Sequence, residues 1–442
     1  MRYHKFLASP GSLMPAPVPR LTTALTGPLL ELEQTLLDRT PDIEAWFRSE
    51  WRETPAPFYG SVDLRNAGFK LAPVDTNLFP AGFNNLNPAF DALCVQALQL
   101  ALERTCPSAT GILLVPENHT RNKFYLENVA TLQKLIRMAG YRVHIGSLLP
   151  DLKAPQTIKL DSGRELLLEP LRREGNQIAV DGFIPCSVLL NNDLSGGVPE
   201  ILKNLEQPVM PPLALGWHNR LKTGHFALYH DVTTEFGELL QIDPWLVDPL
   251  FRNCGQINFM KREGEECLAG NVELLLADIR LKYKEYGIQD EPFVIVKADA
   301  GTYGMGIMTV KSPDELRNLS RDVRKKMAVT KEGKETTGAI IQEGVYTFET
   351  WGDERATAEP VVYMIDHHVV GGFYRVHGGR SNQENLNAPG SSFQMLAFEA
   401  ACNHPDPSCG PDERPNRFYA YGVVARLALM AAAREIAATA KQ

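Results

Sequence analysis

Residues 293–310 read FVIVKADAGTYGMGIMTV, and this stretch decides the fold. Two apolar runs, Phe293 to Val296 and Ile307 to Val310, predict two buried strands. The residues between the runs include Lys297, Gly301, Gly304 and Gly306. A glycine-rich backbone can approach a bulky anion and point its N–H groups at it, and a lysine adds a point charge. The stretch therefore predicts a phosphate-binding hairpin, with an ordinary glycine-rich hairpin as the alternative.

Composition and charge describe a globular protein with small-molecule partners. The 442 residues are too many for one simple core, so two or three lobes are expected. Lysine and arginine number 45 against 53 acidic residues, a net charge of −8, and no basic stripe predicts a nucleic-acid partner. No apolar run approaches the roughly 20 residues of a membrane span, and the N-terminus lacks a signal-peptide core. Seven scattered cysteines without a CxxC pair predict reduced thiols, and hence a cytoplasmic protein.

Hydrophobic periodicity predicts an α/β organisation. Alternating helices and strands are expected at 88–105, 111–115, 122–140 and 141–149. This β-α-β order predicts a small parallel sheet. A further helix is predicted over 198–206, strands dominate 291–377, and the charged stretch 325–337 reads as a mobile insertion between strands. An alanine-rich helix is expected in the tail that begins at residue 417.

An early segment, KLAPVDTNLFPAGFNNLNP at 70–88, carries two candidate metal ligands. Asp75 and Asn77 alternate along an extended chain, so their side chains point to the same face. Carboxylate and amide oxygens are hard ligands of the kind that Mg²⁺ takes. The segment predicts a magnesium site, and a turn capped by Asp75 is the alternative.

Polar side chains follow two strands of the predicted parallel sheet. Arg121 and Asn122, in PENHTRNKFYLEN, open a helix whose N-terminus could hold a carboxylate, or they cap that helix. Asn192 and Asp193, in LLNNDLSGG, end the next strand, where a tight turn is the alternative. Ligands of α/β lobes bind at such strand ends, so these side chains are candidates for substrate binding.

Basic residues cluster in GWHNRLKTGHF, residues 216–226. Arg220, Lys222 and His225 could bind phosphate or carboxylate, and a solvated basic helix face is the alternative.

Two later passages could complete a nucleotide site. AIIQEGV ends in Gln342, Glu343 and Val345, which could meet an adenine and its ribose. A hairpin then runs from Glu359 to Arg375, whose guanidinium could offset phosphoryl charge or clamp a carboxylate. A surface hairpin is the alternative.

The order of these parts resembles ATP-grasp enzymes. The passages VDTNLFPAGFNNL and RNKFYLEN are similar to eukaryotic glutathione synthetase, a permuted ATP-grasp enzyme whose metal motif also comes early. Over essentially its whole length the chain resembles the proteobacterial ATP-grasp-like glutamate–cysteine ligase family. The passages that carry this resemblance are VDTNLFPAGFNN, PENHTRNKFYLEN, LLNNDLSGG, GWHNRLKTGHF and KADAGTYGMGIMTV.

The resemblance implies an α/β (α+β), permuted ATP-grasp-like, glutathione synthetase-like fold with a small parallel-sheet substrate lobe. Three interleaved regions are expected: 1–110 with the early metal segment, 111–215 as the substrate lobe, and 216–442 as the nucleotide-binding region. By position, the metal ligands are Asp75 and Asn77, and the catalytic residues are Lys297, Lys222 and Arg375. The expected nucleotide contacts are Lys297, Gly301, Gly304, Gly306, Gln342, Glu343, Val345 and Glu359. The expected substrate contacts are Arg121, Asn122, Asn192, Asp193, Arg220 and Arg375.

One departure from the synthetase pattern concerns the metal. The synthetase has a third metal carboxylate inside its glycine loop, where this sequence has Gly301. Asp299 could replace that ligand, or the metal could rely on the triphosphate and water.

The implied activity is the ATP- and Mg²⁺-dependent joining of L-glutamate to L-cysteine through an acyl phosphate, the first step of glutathione biosynthesis. Three alternatives remain open. They are a ligase that adds glycine to γ-glutamylcysteine, a phosphotransferase that uses His225 or His377, and a nucleotide-binding regulator without turnover. The sequence leaves the oligomeric state open, a homo-oligomer included.

Overall fold

The computed structural model describes residues 21–22, 27–118, 121–300, 306–328, 336–395 and 417–439. The α-helices of these ranges are α1 (Pro28–Asp38), α2 (Thr40–Glu53), α3 (Asp91–Thr105), α4 (Lys123–Met138), α5 (Lys222–Leu240), α6 (Glu265–Glu285), α7 (Pro313–Arg317), α8 (Arg321–Met327) and α9 (Arg417–Thr439). The first strands are β1 (Leu21–Thr22), β2 (Tyr59–Asn66), β3 (Leu71–Asn77), β4 (Gly111–Pro116), β5 (Arg142–Ser147), β6 (Gln156–Lys159), β7 (Glu165–Pro170), β8 (Arg172–Glu174), β9 (Gln177–Ala179), β10 (Ser187–Asn191) and β11 (Val209–Met210). The later strands are β12 (Phe251–Cys254), β13 (Val294–Ala298), β14 (Ile307–Val310), β15 (Ala339–Glu343), β16 (Thr350–Trp351), β17 (Ala356–Ile365), β18 (His368–His377) and β19 (Ser392–Met395).

The largest sheet combines early strands of the sequence with late ones. Strands β1, β16, β17, β18 and β19 follow one another, and the early hairpin β2–β3 adds to the edge of β17. All pairs are antiparallel, and Val62 of β2 lies opposite Val362 of β17. An early segment therefore completes a sheet built from late strands, as the predicted permutation requires.

A second sheet forms the predicted parallel lobe. Its order is β11, β10, β4, β5, β7 and β6, and every pair except β6 with β7 is parallel. The helix α4 between β4 and β5 starts at the N-cap Asn122 and is followed by Gly140, whose φ of 96° suits a glycine. The predicted α/β class and its parallel sheet are confirmed.

The third sheet contains the glycine-rich hairpin around Lys297. Its order is β12, β15, β13 and β14, all antiparallel, with Lys297 opposite Ile307. The strand-loop-strand prediction is confirmed.

Two local predictions differ from the structure. Residues 198–206 form only the short 3₁₀ turn Glu200–Leu202, because Asn204 takes a left-handed φ of 52° that ends any helix. In the stretch 325–337, residues 325–327 end helix α8, and 329–335 lie outside the described residues.

The alanine-rich helix α9 lies in the core. Its side chains are buried from Phe418 to Ala433, and it packs against α5, β2 and β3. Small alanines let neighbouring backbones come close, so the helix supports the hairpin β2–β3 from behind. None of the helices in the described ranges is long and apolar enough to cross a membrane.

A buried ion pair ties the early hairpin to the third sheet. Lys70 Nζ lies 2.6 Å from Glu343 Oε2, and both side chains are almost fully buried. The ammonium also lies 4.2 Å from the ring centroid of Trp245, whose indole N–H donates to the same carboxylate. Burial lowers the pKa of Lys70 and raises that of Glu343, and each partner opposes this shift in the other.

Breaking this pair should destabilise the fold. We expect Lys70→Met to lower the free energy of unfolding by about 3–5 kcal/mol, because it leaves the Glu343 carboxylate buried without its cation. Urea denaturation followed by circular dichroism measures the change. The double variant Lys70→Met/Glu343→Gln should recover part of the loss. A loss below about 1 kcal/mol, the size of an exposed ion pair, would contradict this assignment.

Candidate active site

Two cavities meet between the large sheet, the third sheet and the parallel lobe. The inner cavity, about 770 Å³ of space partly open to solvent, lies between the hairpin β2–β3 and the strands β13–β15. The outer cavity, about 1190 Å³ by the same measure, lies between the large sheet and the parallel lobe. Among the described residues, Asp63, Asp75 and Asn387 line both. These three residues therefore connect the two cavities.

Asp75 lies at the junction of the inner and outer cavities, near two lysines. Lys222, in the first turn of α5, places Nζ 2.9 Å from Asp75 Oδ1, and the same ammonium lies 4.1 Å from the ring centroid of Trp217. Burial raises the pKa of Asp75, but Lys222 and Lys297 outweigh it and hold that pKa at about 2. Its carboxylate therefore stays ionised, although its side chain is 41% exposed.

Lys297 crosses from the third sheet to the early hairpin. Its Nζ donates to Val74 O and to Gln342 Oε1, each at 2.7 Å. Burial lowers the pKa of Lys297 to about 8, with repulsion from Lys222 adding to the shift and Asp75 opposing it. An anionic ligand beside such a buried ammonium stabilises its charged form.

Asp63 faces Asp75 across the strands β2 and β3, where the two residues are paired in register. Its Oδ2 lies 2.8 Å from Nη1 of Arg375, a residue of β18. Burial raises the pKa of Asp63, and Arg375 only partly offsets that effect. Two carboxylates that face each other therefore have opposite pKa shifts.

Glu359 is held between two arginines. Its Oε1 lies 2.6 Å from Arg375 Nη1, and its Oε2 lies 3.0 Å from Arg65 Nε. Arg65 also donates to the backbone oxygens of Val345 and Glu384. Glu359 lines the inner cavity, but both of its carboxylate oxygens are engaged, so its clearest role is to orient the arginines.

The strand β15 forms one side of the inner cavity. Gln342, Glu343 and Val345 all line it. Since neighbours on a strand point to opposite faces, Gln342 turns to Lys297 while the carboxylate of Glu343 turns to Lys70. Glu343 lines the inner cavity while its carboxylate is paired with Lys70, and its predicted nucleotide contact stays a prediction.

The predicted Mg²⁺ ligands are Asp75 and Asn77. Both residues line the outer cavity. Asp75 is ionised and accessible, and the Asn77 Oδ1 already accepts a hydrogen bond from Phe79 N. In the part of the chain that the structure describes, no group of three or more His, Cys, Asp and Glu side chains could hold a metal ion. A hard cation that keeps waters and phosphate oxygens fits this sparse donor set.

Asp299, considered above as a third metal ligand, makes structural contacts with helix α5, and its metal role stays a prediction. Its two carboxylate oxygens accept from the Thr223 backbone N–H at 2.8 Å and the Thr223 hydroxyl at 2.7 Å. Asp299 therefore caps the N-terminus of α5 and fixes the helix that carries Lys222.

The predicted substrate residues separate into two groups. Asn122 and Asp193 line the outer cavity, although Asn122 also caps α4 by accepting from Tyr125 N. Arg121 is exposed and Asn192 closes a local turn with Leu194 N, and neither lines a cavity.

Arg220 lies behind the site and does not line either cavity. Its guanidinium lies 2.7 Å from Glu435 Oε2, and its Nη1 donates to Thr76 O at 2.6 Å. His225 Nδ1 lies 3.0 Å from the same glutamate. Arg220 thus anchors the strand of Asp75 to helix α9, and its predicted substrate role stays a prediction.

Part of the glycine-rich loop lies outside the described residues. That part includes Gly301 and Gly304. Gly306 is described, takes a φ of 64° and accepts from Ala298 N as the hairpin closes.

Sequence reasoning missed the strand β2. Ser61, Asp63 and Arg65 alternate with the buried Val62 and Leu64, and all three polar residues line the cavities. Polar residues at every second position of an apolar strand were the available signal.

Comparison with known proteins identifies the family of this chain. The family model of glutamate-cysteine ligase (GshA) matches residues 33–436. The crystal structure of a protein assigned as a gamma-glutamylcysteine synthetase from Methylobacillus flagellatus KT is 61% identical, with a TM-score of 0.88, over 96% of this chain and 99% of that chain. Comparison with curated protein sequences found no match.

Two distant structures also match. A glutathione synthetase-like effector from Globodera pallida has 9% identity and a TM-score of 0.35 over 83% of this chain and 81% of its own. D-alanyl-alanine synthetase A from Vibrio cholerae has 10% identity and a TM-score of 0.33 over 72% of this chain and 81% of its own. These TM-scores are low, so the assignment depends on the family model and the Methylobacillus structure. The resemblance inferred from the motifs is confirmed, and the chain belongs to the glutamate-cysteine ligase family.

Proposed function

We propose that the two cavities bind ATP and the amino acids that this ligase joins, L-glutamate and L-cysteine, to form γ-glutamylcysteine. The inner cavity would take the nucleotide, since it combines apolar walls with two lysines. The outer cavity would take the amino acids. The observation that carries the proposal is the meeting of both cavities at Asp75, with Lys222 and Lys297 beside it.

The residues at the junction support an acyl-phosphate mechanism. A carboxylate and an amine condense in water only after the carboxylate has gained a leaving group, and the γ-phosphoryl group of ATP supplies one. Lys297 and Lys222 would offset the charge of the transferred group, and Arg375 would orient the glutamate carboxylate. Mg²⁺ held by Asp75 and Asn77 would offset further phosphate charge when bound.

We infer a cytoplasmic location from the cysteines. Cys94, Cys106, Cys186, Cys254 and Cys267 are free in the described ranges. Free thiols fit a reducing compartment, which supports a cytoplasmic enzyme.

The competing activities have less structural support. His225 is buried beside Arg220 and Glu435, and His377 lies at the end of β18; neither lines a cavity. A phosphohistidine mechanism would need one of them at the junction. The alternative ligase activity, which adds glycine to γ-glutamylcysteine, uses the same chemistry and differs only in its substrates.

Activity with defined substrate pairs tests the proposal. We expect ADP release with glutamate plus cysteine, and γ-glutamylcysteine as the product identified by mass spectrometry. Parallel reactions with γ-glutamylcysteine plus glycine should release little ADP. Turnover only with the second pair would overturn the proposed substrates.

Lys297 is expected to be required for turnover. Lys297→Met should reduce ADP release by at least about 10²-fold, because it removes a charge that offsets the transferring phosphoryl group. Thermal unfolding should show that the variant stays folded. Lys203→Met, a change of the same type at an exposed lysine paired with Glu200, should leave turnover unchanged. Wild-type activity in Lys297→Met would remove this lysine from the site.

Nucleotide affinity should depend on pH through the same lysine. Its pKa of about 8 means that the ammonium loses its proton as pH rises through that value. The Kd of a non-hydrolysable ATP analogue, measured by calorimetry without amino acids, should therefore rise by up to about tenfold per pH unit above this point. Lys297→Arg keeps the charge and should flatten the profile; an unchanged profile in that variant would assign the effect to another group.

A further inference from the structure

Cys254 and Cys267 lie at the two ends of a closed loop beside the third sheet. Cys254 is the last residue of β12, and Cys267 is the third residue of helix α6. Inside the loop, the backbone N–H of Asn258 donates to Glu263 O at 3.0 Å, and the N–H of Glu263 donates to Asn258 O at 3.1 Å. The chain therefore doubles back between the two cysteines, as it does in a hairpin.

The base of this loop is tight. Gly264 takes a φ of 78°, and a Cβ atom on it would lie 2.3 Å from the carbonyl oxygen of Gln256. Gln256 and Gly264 therefore lie side by side. Cys254 comes two residues before the first of them, and Cys267 comes three residues after the second. The path of the backbone thus brings the two cysteines together.

The two thiols are also in contact but differ in exposure. The buried Cys254 thiol has the Cys267 thiol within hydrogen-bond reach. Burial raises the pKa of Cys254 to about 11, and the neighbouring thiol adds to this rise. Cys267 is exposed, and Asn271 Nδ2 donates to its sulfur at 3.5 Å. A reagent in solvent can therefore reach Cys267 first, with Cys254 lying behind it.

The other cysteines in the described ranges have oxygen atoms as sulfur contacts. Cys94 Sγ donates to Val370 O at 3.8 Å, and Cys186 Sγ donates to Gly111 O at 3.0 Å. Cys106 Sγ lies 3.9 Å from the hydroxyl oxygen of Ser108. These contacts differ from the thiol–thiol contact of Cys254 and Cys267.

We propose that Cys254 and Cys267 are a redox-active pair, which a small-molecule disulfide converts to an intramolecular disulfide. The Cys267 thiolate attacks one sulfur of the small disulfide, forms a mixed disulfide and releases the first small thiol. The Cys254 thiolate then attacks the Cys267 sulfur, forms the bond between the two cysteines and releases the second small thiol. The two cysteines lose two electrons and two protons, and the small disulfide gains them.

The new bond would join strand β12 to helix α6. Strand β12 pairs with β15, whose Gln342 and Glu343 line the inner cavity. Neither cysteine lines the inner or the outer cavity. The oxidation site therefore lies one strand away from the candidate active site, and its chemistry is independent of the substrates proposed there.

Oxidation of the wild-type protein by 2-hydroxyethyl disulfide tests the proposal. Trypsin cuts after Lys261 and Arg262, so Cys254 and Cys267 fall in different peptides. We expect both cysteines to be lost as alkylatable thiols in denaturant, and their two peptides to be found linked by mass spectrometry without reduction. Dithiothreitol should separate the peptides and restore both thiols.

Two variants test the order of the steps. In Cys254→Ser, Cys267 should keep the small thiol as a mixed disulfide, because no neighbouring thiol displaces it. In Cys267→Ser, Cys254 should stay reduced, because the reagent cannot reach its buried sulfur. The control is Cys106→Ser, the same change outside the pair, which should still form the Cys254–Cys267 disulfide.

Three results would overturn the proposal. The first is a wild-type Cys267 that stays reduced or keeps the small thiol. The second is oxidation of Cys254 at the wild-type rate in Cys267→Ser. The third is a disulfide from either cysteine to another one, Cys402 and Cys409 included. Wild-type protein alone gives the first and third results, so the test holds even if a variant does not fold. No activity is measured, so failure of the proposed function is a separate outcome.

Discussion

The site depends on one carboxylate that holds two lysines together. Lys222 and Lys297 come from different elements, α5 and β13, and they repel each other in a largely buried place. Asp75 lies between their charges and lowers the cost of that repulsion. It neutralises one of the two cations, so the cavity retains positive charge for an anionic ligand. Charge balance of this kind explains how the fold can hold two lysines in one largely buried place.

Local patterns could predict the hairpin around Lys297, because strand periodicity and glycine spacing are local signals. The approach of Asp75 to that hairpin was expected from the family resemblance and from no local pattern. The partner of Arg220 could not be predicted. It is Glu435, more than two hundred residues later in the chain, and no local spacing reveals that pairing. The direction of the Glu343 side chain was predictable, since it follows Gln342 on a strand and must point the other way.

The assignment of three sequence regions stays a prediction, and the strand pairing shows why boundaries are hard to place. Segments from both ends of the sequence contribute to the large sheet, and α9 supports the early hairpin. Strand β2 was overlooked because its polar residues, Ser61, Asp63 and Arg65, match no motif. Their importance lies in the cavity walls they form, and only the folded chain brings those walls together.

The pairing of β2 with β17 also affects how the chain reaches this structure. Until the early hairpin docks, the edge of β17 from Val361 to Ile365 offers unpaired backbone groups beside apolar side chains. Contacts between residues so distant in sequence form slowly, and an open apolar edge can pair with another molecule. The topology therefore sets docking of the early hairpin in competition with aggregation.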